Sequence, residues 1–268
     1  MVAMTNLQIT RPINLYADLV PELDSRAAWY AFREQNGYRT IKAPYLSEPN
    51  TKLRKNEHHT VSFTGSPHRL SGHNVCPQST PACRAVCIRH TGRLDMPYAQ
   101  QLGIDRTRFL YSDPDAAVSL IHWETVKASK KTEILGRRLN IVSDIAWEDV
   151  APWLFYEAPE NVRTYDYTKN WDRDRAPQRR YRLTFSATER HGIDDIRAKV
   201  RAGGSVAVVF PKEHKETGYA DTWYGMPVID GDRTDFRYDD PFGSIVALYA
   251  KGRARHLPVG MAEFVKKF

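Results

Sequence analysis

All three cysteines of this chain lie within twelve residues of one another, in His73-Asn74-Val75-Cys76-Pro77-Gln78-Ser79-Thr80-Pro81-Ala82-Cys83-Arg84-Ala85-Val86-Cys87-Ile88-Arg89-His90. The spacing is C-x6-C-x3-C, with His73 three residues before the first thiol and His90 three after the last. Thiolates this close, in a polar loop held by Pro77 and Pro81, are placed to share one metal centre. An odd number of cysteines argues against a disulfide framework. Two centres fit. Zinc would take Cys76, Cys83, Cys87 and either His73 or His90 as its fourth ligand. A [4Fe-4S] cubane would take the three thiolates and leave one iron open for a cofactor, substrate or exogenous ligand. The paired C-x2-C knuckles usual in structural zinc sites are absent, which favours iron–sulfur.

A second set of polar residues falls where strands should end. Asn140, Ser143 and Asp144 follow one strand, Asp166, Thr168 and Lys169 the next, then Ser186 and Glu189, then Lys212. Asp144 and Lys169 are candidates for proton transfer or anchoring, and Asn140, Ser143, Thr168, Ser186 and Lys212 for holding a substrate. The plainer reading is helix capping, with Asp144 serving one helix and Thr188 or Asp194 another. Segment 163–182 interleaves Arg163, Lys169, Arg173, Arg175, Arg179, Arg180 and Arg182 with Tyr165, Tyr167, Trp171 and Tyr181. Cations neutralise phosphates and rings stack on bases, so Arg173, Arg179 and Arg180 are candidate contacts to a nucleotide or nucleic acid. A solvated loop is the alternative.

The elements that must carry these residues alternate. Strands are expected over His59–Thr64, Arg138–Ser143, Val162–Tyr167, Tyr181–Ser186, Ser205–Phe210 and Ile245–Ala250. Helices are expected over Asp24–Asn36 and Pro114–Lys131, through Trp147, Val150 and Leu154, through Ile193, Ile196 and Val200, and through Met261, Phe264, Val265 and Phe268. The acidic stretch Val228–Asp235, with a turn at Asp230-Gly231, reads as a β-hairpin arm; it lacks the closing Glu of a calcium loop. Strand–helix alternation implies an α/β fold, a partial (β/α) barrel or an open, mainly parallel sheet. Ligands then sit beyond the carboxyl ends of the strands. Residues 1–50 read as an N-terminal helical extension packing on the core, and 51–268 as a single α/β metal-cluster domain.

The chain has 268 residues, 41% of them hydrophobic and 26% charged, which is globular usage. No apolar run approaches the roughly 18 residues that span a bilayer. Met1–Asn6 lacks a basic region ahead of an apolar core, so a soluble cytoplasmic protein is expected. Lys plus Arg total 39 against 32 Asp plus Glu, and the net charge of +7 favours polyanionic partners. There is no G-x4-G-K-[ST] loop, so nucleotide hydrolysis by that route is excluded.

A three-cysteine loop after the first strand of a partial barrel resembles the radical S-adenosylmethionine enzymes. That resemblance implies a cubane with one open iron and S-adenosylmethionine as a cofactor. Their usual spacing is C-x3-C-x2-C, which this chain lacks, and no Gly-Gly-Glu-like element follows the second strand. A second resemblance covers about residues 59–255. The order Asn74, Cys76-Pro77, Cys83, Cys87, Arg89, Gly92, then Ser143-Asp144 and Tyr165-Asp166-Tyr167-Thr168-Lys169, resembles a family of bacteriophage three-cysteine-cluster proteins. It implies a phage gene product, acting in the cytoplasm of an infected bacterium, and brings no established reaction.

Overall fold

The computed structural model describes Ala31, Glu34, Gln35 and residues 44–47, 58–173, 181–258 and 260–268. Of the helix expected over Asp24–Asn36 only Ala31, Glu34 and Gln35 are described, and these are helical; the rest of it and most of the 1–50 extension lie outside the described residues, as do Arg175, Arg179 and Arg180.

Eight strands form one open sheet: β1 (His59–Ser62), β2 (Leu135–Arg138), β3 (Val162–Thr168), β4 (Tyr181–Ser186), β5 (Ser205–Phe210), β6 (Thr222–Trp223), β7 (Met226–Asp230) and β8 (Ile245–Tyr249). Their spatial order is β1-β2-β3-β4-β5-β8-β7-β6, with every pairing parallel except β6 with β7. The sheet is open and not closed into a barrel. From β1 to β5 each strand is added beside the last, so right-handed crossovers put the connecting helices on one face. Helices α1 (Pro97–Ser112) and α2 (Pro114–Ser129) bridge β1 to β2, and α3 (Ile193–Arg201) bridges β4 to β5. Proline in the first turn and the Asp113 carboxylate, which accepts from the Ala116 amide, start α2.

The helical face buries Val61, Phe63, Leu135, Leu139, Val162 and Tyr181 against Phe109, Leu110, Leu120 and Ile121 of the two long helices. A second core joins Val206, Val208 and Phe210 of β5 to Ile196 and Val200 of α3. The stretch Pro44–Ser47 belongs to the first core. Tyr45 and Leu46 donate their amides to the buried Glu124 carboxylate, and Ser47 bridges Ser62.

Several expectations need correction. The second strand runs over Leu135–Arg138, three residues earlier than expected, because Asp166 accepts the amides of Leu139 and Asn140 and ends the ladder there. Asp166 and Thr168 lie within β3, not after it. Pro152 splits the segment through Trp147 and Leu154 into two single turns, Trp147–Val150 and Trp153–Tyr156. The hairpin is β6–β7 and turns at Tyr224-Gly225, not Asp230-Gly231; Asp230 instead closes β7, which pairs with β8. The C-terminal helix is reduced to a 3-10 turn over Ala262–Phe264, because Val265 leaves it to bridge Val209 of β5.

Candidate metal centre

The cysteine loop is not structureless. Thr80 caps a short helical turn, Pro81–Ala85, through its hydroxyl on the Cys83 amide, and Ile88–His90 forms a 3-10 turn. The turn is tied to the sheet by Glu189, just past β4, whose carboxylate accepts from the Thr80 hydroxyl at 2.7 Å and the Ala82 amide at 3.1 Å. At the other end Asn74 accepts the Cys76 amide, and the Val75 carbonyl takes the Asp144 amide at 2.7 Å. The cysteines are thus held over the carboxyl ends of β2, β3 and β4, where ligands of parallel sheets bind.

All three thiols are half-buried and unbridged. Cys76 Sγ accepts the His68 amide at 3.3 Å and points at the Val142 carbonyl at 3.5 Å. Burial pushes the Cys76 thiol up to about 12 and raises that of Cys87. Buried thiols of this kind are poor nucleophiles but good ligands once a metal displaces the proton. Lys169, immediately after β3, lies within electrostatic reach of all of them. Burial pulls its ammonium down, but Cys83, Asp144, Cys76 and Cys87 together hold it above the ordinary lysine value. Among the described residues no three His, Cys, Asp or Glu side chains are grouped so as to hold a metal ion. His73 is stacked on Tyr111 with ring centroids 4.0 Å apart, and His90 faces Asp95 at 3.5 Å.

The strand-end polar residues come together, though as a buried network beneath the loop. Asp144 caps no helix. Its carboxylate accepts from the Thr168 hydroxyl at 2.8 Å, the Lys169 amide at 2.8 Å and Arg173 Nη1 at 3.0 Å, stapling the end of β3. Asn140 Oδ1 accepts from Ser143 Oγ and the Ile145 amide, shaping the turn after β2. Asp166 is fully buried and accepts from the Tyr181 hydroxyl at 3.2 Å. Burial pushes its carboxyl up to about 7 against the opposing pull of Arg138, the Asn140 amide, Arg173 and Tyr181. Ser186 is half-buried, and its carbonyl takes the Trp171 indole N–H. Lys212 is exposed beyond β5, away from this network.

Arg173 is not a surface contact to phosphate. Its side chain is 5% exposed and clamps Glu148 through Nε at 2.6 Å and Nη2 at 2.7 Å. Of its expected neighbours, Tyr165 and Tyr181 are core residues, and Arg182 donates to the Tyr238 carbonyl with its guanidinium over the Phe242 ring. Glu148 and the carbonyl of Val142 escaped the sequence reading, and Tyr181 reads there as a stacking aromatic and not as a partner of Asp166. No local pattern marks Arg173 as the partner of Glu148, twenty-five residues on.

A singly wound, mainly parallel α/β sheet with a three-cysteine loop strapped over its strand ends defines the class of protein. The chain belongs to the gene product 88 family, a family of phage-type gene products, whose model matches residues 44–260. No curated protein and no solved structure matches the chain. No helix among the described residues is long and apolar enough to cross a membrane.

Proposed function

We propose that Cys76, Cys83 and Cys87 hold an iron–sulfur cluster at the mouth of the sheet, and that the protein is an enzyme acting on a nucleotide, nucleic acid or other phosphorylated substrate. The feature that supports this reading is the C-x6-C-x3-C loop, tied to the strand ends by Glu189 and by the Val75–Asp144 contact. With His73 and His90 engaged by Tyr111 and Asp95, the chain offers three ligands and leaves a fourth corner to an exogenous group, for which S-adenosylmethionine is the candidate. When bound, the cluster supplies an open iron. The chain's own residues position it: Glu189 fixes the turn bearing Cys83, Asp144 fixes the backbone at Lys169, and the Lys169 cation offsets thiolate charge.

Anaerobically purified protein should be brown, with broad absorption at about 400 nm and about four irons and matching sulfide per chain. Serine at Cys76, Cys83 or Cys87 should abolish both. Adding S-adenosylmethionine to reduced protein should change its electron paramagnetic resonance spectrum. One tightly held zinc without iron would overturn the proposal and favour a nucleic-acid-binding protein with a structural Cys3His site.

A further inference from the structure

Beyond the carboxyl ends of β5 and β8 lies an open cleft of about 660 Å³, within the range of small-molecule sites. Four cations line it, Lys212, Arg255, Lys266 and Lys267, against two carboxylates, Glu213 and Glu263. The first turn of α3 also borders it, where the Gly192 amide is taken by the Asp195 carboxylate. The floor is apolar, with Ile193, Ile196 and Trp223 on one side. On the other are Ala250, Ala254, Leu257 and Val265, which pack in one cluster with Ala82, Val86 and Cys83. One apolar cluster therefore lies between the cleft and the cysteine loop.

The rim carries an anomaly. Tyr224 and Gly225 form the two-residue turn of the β6–β7 hairpin with φ of +49° and +76°. Both central positions of such a turn favour Asn, Asp or Gly. A tyrosine there is strained, and its ring gains no core burial in return, being 64% exposed beside the cleft. Its one close aromatic neighbour is Trp223, edge to face at 5.2 Å. An aromatic ring held open beside a basic cleft is the arrangement that stacks on a nucleobase while cations take its phosphates.

We propose that this cleft binds a nucleoside phosphate, with the base on Tyr224 and the phosphates among Lys212, Arg255, Lys266 and Lys267. The ligand is either a free nucleotide or the end of a single strand, which share this chemistry. The proposal names the substrate class of the reading above and rests on it for its purpose, but no cysteine contributes to the cleft.

The test is a fluorescence titration of the full chain with ATP, an eight-nucleotide single strand and inorganic tripolyphosphate. Saturable binding of ATP or the strand is expected, weakening as salt rises, with whichever binds tighter identifying the source. Tyr224→Asn suits the positive φ, so the fold should persist. It should weaken the nucleotide or strand about tenfold and leave tripolyphosphate unchanged. The pair Lys212→Glu and Lys267→Glu, both exposed, should weaken all three ligands. No saturable binding at low salt, or equal affinity in these variants and the parent, overturns the proposal. Metal analysis of the same sample separates the two readings. Nucleotide binding by iron-free protein overturns the cluster alone, and an iron–sulfur protein indifferent to nucleotides overturns the cleft alone.

Discussion

Replacing Arg173 with Met keeps most of the side chain's volume and removes its charge. One guanidinium holds two buried acids, with Glu148 and Asp144 side chains 8% and 7% exposed. Asp144 would keep the Thr168 hydroxyl and the Lys169 amide, whereas both hydrogen bonds described for Glu148 go to Arg173. Tyr181 would also lose the Nη2 donor at 3.0 Å. Removing one partner from a buried pair costs about 3–5 kcal/mol, mostly because a charge is stranded. In a chain of this size that corresponds to a fall in Tm of about 10 °C. The assay is urea and thermal unfolding of the parent, Arg173→Met, Glu148→Leu and the double variant. Removing both charges leaves nothing stranded at Glu148, so the double variant should be about 2 kcal/mol more stable than Arg173→Met alone. Losses that simply add, or an Arg173→Met variant within about 1 kcal/mol of the parent, would refute the reasoning.

Asp166, held up at about 7, is an acid whose folded-state value exceeds its unfolded one. Its contribution is therefore complete below about pH 4 and is lost as pH rises through about 7. Asp166→Asn should gain on the parent between pH 5 and pH 8 by on the order of 2 kcal/mol, read from urea midpoints, and parallel profiles would contradict this. At Gly136 a Cβ would collide with the Thr60 hydroxyl and stand 3.1 Å from the Phe236 ring. Gly136→Ala should cost about 1–3 kcal/mol, and an unchanged unfolding midpoint would show that Phe236 gives way freely.

The sheet was legible wherever apolar alternation and burial coincide, as in Tyr181–Ser186 and Ser205–Phe210, both read to the residue. It was illegible where the core is polar. Strand β2 reads Leu-Gly-Arg-Arg, and both arginines are buried. Arg137 donates to Thr164 and the Leu154 carbonyl, while Arg138 lies over the rings of Tyr165 and Tyr167. No hydropathy pattern announces such a strand. Helix α1 escaped for the same reason, since its inward face includes Gly103, Arg106 and Thr107. Gly103 is there because a Cβ would strike the Gly65 carbonyl, and Thr107 because its hydroxyl accepts the Ser66 amide at 2.8 Å. At the C-terminus, Met261, Phe264 and Val265 have helical spacing, but pairing with β5 outweighs a short helix. The cysteine loop was visible because spacing alone marks it. Glu189 and Asp144 stand out as strand-end polar residues, but their pairing with the loop, Glu189 with Thr80 at 109 residues' distance and the Asp144 amide with the Val75 carbonyl, leaves no local signature.

The packing of Ala82, Val86 and Cys83 against Ala250, Ala254 and Phe264 also sets an order of events during synthesis. The ribosome makes the three cysteines long before Ala250, Ala254 and Phe264, which form much of the wall behind them. Until those residues emerge, the turn bearing Cys83 has Glu189 and Val209 of the sheet beside it but lacks the rest of its apolar backing. Closing a contact over so long a stretch of chain is slow, because the loop entropy must be overcome first. The loop therefore gains this backing only after β8 and the segment that follows it have been made. A chain ending before Ile245 would carry all three cysteines and lack the surface that Ala250, Ala254 and Phe264 give them.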